Sequence, residues 1–248
     1  MKTVVIIQAR MTSSRLPHKV IAELCGVPMI VQIVRRVQLA KKVSQIVVAT
    51  SEEDSDTPLV KICEEYGIEC YRGSLNDVLD RYYQCATLYN ADVVVRLTGD
   101  NPLVDPSVID EAITVVDEKK TLDHIYYRAG LPLGTAVEVM LYSALKTAWR
   151  ESTEDACREH VSIFIRQNPQ RFNVEVGEIV GKDYSHLRFT VDTPEDELLM
   201  ENIYEELYPQ NPAFSVYDAI ALCEKNPEWL KINAGIMQRD HGYHPDGR

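Results

Sequence analysis

An α/β fold built on a doubly wound, mostly parallel sheet is what this sequence predicts, and three observations predict it. Short β-branched runs without polar alternation recur along the first hundred residues, the pattern of strands covered on both faces. Amphipathic helical stretches, opened by proline or a capping acid, separate them. Connections stay short through about residue 120, which favours strand and helix alternation over an α+β or all-β arrangement.

Thr3-Val4-Val5-Ile6-Ile7 reads as a central strand, running almost from the first residue with no cleavable signal pattern before it. Pro28 can open a helix whose Ile30, Ile33, Val34 and Val37 share one face, with Arg35, Arg36 and Gln38 turned to solvent. Ile46-Val47-Val48-Ala49 is the next strand, and Asp56-Thr57-Pro58 caps a helix near 57–66. A weaker strand at Ile68-Glu69-Cys70-Tyr71 precedes a helix at 74–90, for which Ser74 and Asp77 form a capping box. Tyr82-Tyr83 in that helix reads as core. Val93-Val94-Val95-Arg96-Leu97 is a further strand, and Asp105-Pro106 starts a helix over 106–118.

From residue 122 the texture changes. Strand candidates at Asp123–Tyr127, Thr135–Leu141 and Phe172–Val176 surround a helix at 153–167, and Leu187–Val191 leads the chain back to the main sheet. Thr193-Pro194 starts a helix with Leu198, Leu199 and Ile203 inward, and Val216–Cys223 suggests one more. The expected organisation is a core of 1–121 plus 187–228, an α+β insertion over 122–186, and a tail at 229–248 that is loose after Asn233.

Composition bounds the function classes. The 248 residues, 45% hydrophobic and 26% charged, suit a chain with a sizeable core. A formal net charge of −12 argues against broad binding to nucleic acid or anionic membranes, which need basic surfaces. No stretch approaches the roughly 18 apolar residues of a membrane span. Six cysteines without C-x-x-C or zinc spacing read as reduced thiols, which suits the cytoplasm.

In doubly wound sheets ligands sit beyond the C-terminal strand ends, so the loops after Ala9, Thr50 and Leu97 are where chemistry is sought. The first is a polar loop, Gln8 through Lys19, with permanent cations Arg10, Arg15 and Lys19 and hydroxyls Thr12, Ser13 and Ser14. Guanidinium forks, a lysine point charge and hydroxyls are the usual means of holding a triphosphate. Neither a Walker loop nor a dinucleotide fingerprint is present, which lowers ATPase and dehydrogenase readings. Thr98-Gly99-Asp100 places one carboxylate at a strand tip, and Asp192 follows Leu187–Val191 with another. Two carboxylates suit Mg²⁺, which leaves its remaining positions to water and phosphate oxygens.

The stretch Gln8-Ala9-Arg10 through Arg15-Leu16-Pro17-His18-Lys19, then Gly26-Val27-Pro28-Met29-Ile30, resembles the A-R-x-x-S-x-R-L-P-x-K…G-x-P-M-I signature of the CMP-sugar synthetases, which include CMP-Kdo and CMP-acylneuraminate cytidylyltransferases. Val47-Val48-Ala49-Thr50, Thr98-Gly99-Asp100-Asn101-Pro102-Leu103 and Asp192-Thr193-Pro194-Glu195-Asp196 follow in the family's order. Gln8, Gly73-Ser74 with Asp77-Val78-Leu79-Asp80-Arg81, and Gly134 with Glu138 bring it nearest to the branch called spore coat polysaccharide biosynthesis protein F.

The resemblance implies a Rossmann-like nucleotidyltransferase that uses CTP and Mg²⁺, with a small-molecule acceptor and a homodimer formed through the insertion. It implies that Arg10, Arg15 and Lys19 hold the triphosphate, that Asp100 and Asp192 bind Mg²⁺, and that Ala9, Ser14, Ser51, Arg72 and Thr98 lie around the nucleotide. Glu138 and His160 in the insertion are candidates for acceptor contact or base. Two rival readings are a nucleotide-sugar glycosyltransferase using Asp54-Ser55-Asp56 as a metal-binding D-x-D, and a silent nucleotide-binding subunit. His241-Gly242-Tyr243-His244 is a weak candidate metal clip.

Overall fold

The computed structural model describes residues 1–178 and 181–238. The order is β1 (Thr3–Gln8), a 3₁₀ turn (Lys19–Ile21), β2 (Glu23–Leu24), β3 (Val27–Pro28), α1 (Met29–Val37), β4 (Gln45–Ser51), a second 3₁₀ turn (Asp54–Asp56), α2 (Thr57–Glu65), β5 (Cys70–Gly73), α3 (Val78–Leu88), β6 (Val93–Thr98) and α4 (Pro106–Glu118). β7 (His124–Ala129), β8 (Val137–Leu141), α5 (Tyr142–Glu151), α6 (Asp155–Glu159), α7 (Ile163–Gln167) and β9 (Val174–Glu178) follow. After them come α8 (Pro194–Leu207), α9 (Val216–Lys225) and a last 3₁₀ turn (Trp229–Lys231).

The main sheet has the order β5-β4-β1-β6-β8-β7-β9. β5, β4, β1 and β6 are parallel; β8 runs antiparallel to β6 and to β7, and β9 is parallel to β7. Segment 122–186 thus extends the sheet through β7, β8 and β9. The period of two sorts each strand between two cores. Val5, Ile7, Val48, Val93 and Val95 pack toward α1, α2, α4, α8 and α9, while Val4, Ile6, Val47 and Val94 pack toward α3, α5 and α7. Each fully buried Val, Leu or Ile contributes about 1.5–3 kcal/mol, and β1 is buried from Thr3 through Ile7.

Several local expectations change. Asp56 stands at the N-cap position of α2 but its side chain makes no capping hydrogen bond, being turned to Met11, Thr50 and Ser51 instead. Arg36 is buried, donating to the carbonyls of Val104 (2.8 Å) and Phe214 (2.9 Å), so the solvent-facing stripe of α1 stops short of it. Ser74 does not start α3: its hydroxyl accepts from Asp77 N at 3.0 Å, and Asp77 itself caps the helix by accepting from Asp80 N. Residues 153–167 form two short helices, broken where Val161 takes φ 46°. Leu187–Val191 forms no named strand among the described residues and makes an isolated Leu133–Arg188 bridge. In α8 the apolar face is Leu199, Met200, Ile203 and Tyr204, with Leu198 exposed. Tyr82 is core as expected, donating its hydroxyl to the carbonyls of Ile6 and Leu97. Among the described residues no helix is long and apolar enough to cross a membrane.

Candidate functional site

The loop after β1 is pinned from below by one buried carboxylate. Asp56 is fully buried and accepts from Met11 N (2.7 Å), Thr50 Oγ1 (2.9 Å), Ser51 N (3.1 Å) and Ser51 Oγ (2.5 Å). Burial pushes its pKa up, but these four donors outweigh burial and hold it below the ordinary 3.8. Met11 in turn closes the loop, its carbonyl accepting from Ser13 N and His18 N, with His18 in the left-handed region at φ 64°. Asp56 is therefore a loop anchor with its lone pairs committed, and the D-x-D metal site is not formed. Ser51 and Arg72 support the same wall from outside the cleft. Ser51 is spent on Asp56, and Arg72 donates to the carbonyls of Ser51 (3.0 Å) and Glu53 (2.9 Å).

The tip of β6 meets this loop because residue 99 has no side chain. Gly99 N donates to Gln8 O at 2.8 Å, and a Cβ there would lie 2.8 Å from that of Ala9. Asp100 is thereby held beside β1, its Oδ1 accepting from Thr98 Oγ1 at 2.6 Å. The segment 187–191 brings in the second carboxylate, with Val191 N donating to Asp100 O at 2.8 Å. It is seated by Gly134, at φ +96°, where a Cβ would lie 2.4 Å from Thr190 N.

Asp100 and Asp192 converge on Lys19. Its Nζ donates to Asp100 Oδ2 (2.9 Å), Asp192 Oδ1 (2.7 Å) and Val191 O (2.8 Å). Burial acts to lower the lysine pKa, yet the two carboxylates outweigh it and raise the value above 10.5. Arg15 pairs with Asp192 Oδ2 at 2.8 Å. Burial works to raise the Asp192 pKa, and the charges of Lys19, Arg15 and Arg188 carry it below 3.8.

Behind Asp192 lies a network that the sequence did not disclose. Arg188 donates to Asp196 Oδ1 (2.8 Å) and Oδ2 (2.9 Å) and to Asp192 Oδ2 (3.2 Å). Asp196 Oδ2 accepts from the N–H groups of Asp192 and Thr193, and Asn233 Nδ2 donates to Asp196 Oδ1 (2.9 Å) and Arg188 O (3.0 Å). Asn233 is buried at 4% exposure, and Gln238 Oε1 accepts from Arg188 Nη1 at 2.6 Å. The tail is thus tied down at least this far, contrary to the loose segment expected; His241-Gly242-Tyr243-His244 lies outside the described residues. Only the capping acid at the third position of α8, Asp196, was visible in the sequence, as part of Thr193-Pro194-Glu195-Asp196.

These groups line one end of a cleft of about 1130 Å³. Ala9, Arg10, Ser14, Arg15, Lys19, Thr98, Asp100 and Asp192 all line it. The other end is floored by a row that runs across the sheet in register, Arg96, Glu138 and Tyr126, with Arg128, His160 and Arg166 around it. Glu138 is buried; Arg96 donates to it at 2.6 Å and Ser162 Oγ at 2.8 Å. Burial opposes the charge of Glu138, but Arg96 and His124 more than offset it, holding its carboxyl well below 4.5. Arg96 and Gln8 line the cleft, and Arg96 Nε and Gln8 Oε1 are buried with no hydrogen-bond partner among the described residues.

Among the described residues no three His, Cys, Asp or Glu side chains cluster as a metal site. Asp100 and Asp192 nonetheless form a pair of hard oxygen donors aimed at one point, which fits a cation that takes its other ligands from phosphate and water.

The family model described as Cytidylyltransferase matches residues 4–227. The chain belongs to the cytidylyltransferase family. It is 34% identical to the spore coat polysaccharide biosynthesis protein SpsF of Bacillus subtilis over 90% of this chain and 94% of that protein. A cytidylyltransferase structure from Leptospira borgpetersenii superposes with a TM-score of 0.88 at 28% identity, covering 97% of this chain and all of that one. A structure of CMP:2-keto-3-deoxy-manno-octonic acid synthetase complexed with CTP superposes with a TM-score of 0.66 at 17% identity, covering 84% and 100%, a likeness of fold. This cytidylyltransferase fold places the Lys19, Asp100 and Asp192 cluster at the C-terminal ends of β1 and β6, where such sheets bind their ligands.

Proposed function

We propose that this protein transfers CMP from CTP to a sugar, a sugar acid or a related small acceptor, releasing pyrophosphate, in the synthesis of a surface polysaccharide. The observation that carries the reading is the meeting, at one end of a single cleft, of the cation loop Arg10–Lys19 with the carboxylates Asp100 and Asp192. Membership of the family and similarity to a spore coat polysaccharide protein support the reaction class and its destination. A family-fold structure complexed with CTP supports CTP as the donor.

In this reading Arg10, Arg15 and Lys19 neutralise the triphosphate, and Ala9, Ser14 and Thr98 sit beside the base and ribose. Ser51 and Arg72 act at one remove, by holding the wall through Asp56 and Glu53. Asp100 and Asp192 would hold Mg²⁺ together with phosphate and water oxygens. When bound, the metal supplies neutralisation of charge on the phosphoryl oxygens. The acceptor oxygen attacks the α-phosphorus in line as pyrophosphate leaves, so the protein's task is positioning and electrostatics. Glu138, anionic and fixed by Arg96, accepts hydrogen bonds from acceptor hydroxyls; its depressed pKa makes it a poor base. His160 is the titratable group on the same wall for an acceptor that arrives protonated.

The 122–186 segment supplies these acceptor contacts, and it also carries the dimer interface, consistent with the exposed Val176 on edge strand β9. Six free thiols favour the reducing cytoplasm as its compartment. The test is pyrophosphate release with Mg²⁺ across four nucleoside triphosphates, each against keto-sugar acids, sugar phosphates and polyol phosphates. Release with CTP and one acceptor is expected; release only with another triphosphate, or turnover of a preformed nucleotide sugar alone, overturns the proposal.

A further inference from the structure

The cation lying between Asp100 and Asp192 in this structure is a side chain of the protein itself. The Lys19 ammonium has three N–H groups and three acceptors, two of them these carboxylates, and Lys19 is only 8% exposed. The remaining oxygens are also engaged: Thr98 Oγ1 donates to Asp100 Oδ1 at 2.6 Å, while Arg15 at 2.8 Å and Arg188 at 3.2 Å reach Asp192 Oδ2. A divalent ion ligated by both carboxylates at roughly 2.0–2.1 Å needs the space the ammonium fills. It would also meet Lys19 and Arg15 at contact range, a like-charge arrangement that a partly buried site screens poorly.

Resting on the reading of this cleft as a triphosphate site, we propose that Lys19 is a built-in counter-ion that excludes divalent metal from Asp100 and Asp192 until a triphosphate draws it away. Phosphate oxygens offer Lys19 and Arg15 charge-assisted hydrogen bonds equal to those they leave, and the freed carboxylates then accept the metal that the triphosphate carries. Arg188 stays behind, because Asp196 holds it through two hydrogen bonds and the Asp196 carboxylate is itself held by Asn233. Metal and nucleotide therefore load as a unit, and metal alone finds the site closed.

The experiment is Mn²⁺ binding followed by electron paramagnetic resonance, on wild-type protein and on Lys19→Met and Lys19→Gln. Without nucleotide, both variants are expected to bind one Mn²⁺ roughly tenfold to a hundredfold tighter than wild type, the change produced by removing a clamp that occupies about 90–99% of molecules. Lys19→Gln keeps an amide donor for one carboxylate and serves if Lys19→Met does not fold, as judged by circular dichroism. Wild type with CTP should show the line shape of protein-bound Mn²⁺, distinct from Mn–CTP in solution. Equal nucleotide-free affinity in wild type and variants, or no Mn²⁺ in any nucleotide-free form, overturns the exclusion by Lys19. Wild type that binds Mn²⁺ alone as tightly as it does with CTP overturns it without any variant. Absence of protein-bound Mn²⁺ even with CTP overturns the triphosphate reading instead.

Discussion

Asp56 offers a perturbation whose size can be worked from geometry. The carboxylate is fully buried and all four of its hydrogen-bond partners are donors, two of them the backbone N–H groups of Met11 and Ser51. In Asp56→Ala the hydroxyls of Thr50 and Ser51 can rotate elsewhere, but the two N–H groups are stranded, at about 1–3 kcal/mol each, for a total near 2–6 kcal/mol. Asp56→Asn keeps an oxygen for Met11 N and turns its amide toward the two hydroxyl oxygens, leaving Ser51 N alone, so about 1–3 kcal/mol is expected. Against a typical total of about 5–15 kcal/mol, the alanine variant takes a large share. Guanidinium unfolding, with midpoint multiplied by slope, reads both values. Because Met11 also closes the cation loop, CTP binding should weaken in the same order, Ala more than Asn. A metal-binding D-x-D predicts the reverse: removing a ligand carboxylate would leave stability unchanged or raised while abolishing metal binding, and that result would refute the anchor role.

Asp100→Asn should remove most metal-dependent pyrophosphate release while the circular dichroism spectrum stays native; near wild-type turnover would contradict the metal assignment. Gly99→Ala places a Cβ 2.8 Å from that of Ala9 and 3.2 Å from Gln8 O, so a loss of about 1–3 kcal/mol and a fall in kcat as Asp100 shifts are expected, with wild-type values on both counts counting against this packing. Asn233→Ala breaks two hydrogen bonds behind Asp192, and the metal concentration for half-maximal activity should rise more than kcat falls; an unchanged metal titration would show the network to be structural only. For pH, the folded pKa values of Asp56, Asp192, Asp196 and Glu138 all lie below their ordinary 3.8 or 4.5. Their stabilisation is therefore complete above that range and lost as pH falls through the folded values, while that of Lys19, raised above 10.5, is complete below 10.5 and lost on further alkalinisation. Urea midpoints across pH should show a plateau between these limbs, and stability that climbs on acidification below pH 4 would contradict it.

Strands β1, β4 and β6 were legible because a strand buried on both faces is apolar along most of its length, and that demand is local. Asp100 and Asp192 stand out for a related reason, the first two residues beyond the end of β6 and the second just after the strand-like Leu187–Val191. The stretch 153–167 shows the limit of periodicity. Cys157, Val161 and Ile165 recur at helical spacing and are all buried, yet the helix breaks at Val161. The break places Ser162 so that its hydroxyl donates to Glu138, a reason that lies in another strand. Leu187–Val191 has strand-like alternation, but pairing needs a neighbouring strand, and among the described residues it meets an isolated bridge to Leu133, outside the sheet. Asp56 is read from the sequence as a helix cap or a metal ligand and not as a loop anchor, and Arg188 and Asn233 carry no signal there, because polar residues signal structure only through partners, which here lie 45 residues away for Met11 and Asp56 and 45 for Asn233 and Arg188.

On the proposed reading, the same pairing accounts for how a chain of net charge −12 would hold a polyanion. Two of the three cations assigned to the nucleotide, Lys19 and Arg15, are stored against Asp100 and Asp192, and only Arg10 of the three is exposed. A ligand gains access to them only by supplying equal hydrogen bonds to the cations and a replacement cation to the carboxylates. A monophosphate can do the first and is a poor carrier of metal, whereas a metal-chelated triphosphate does both at once. On the proposed reading, discrimination of the triphosphate from the CMP-acceptor product, which keeps a single phosphodiester, then follows from the closed state of the cluster, with no contact to the base or ribose required.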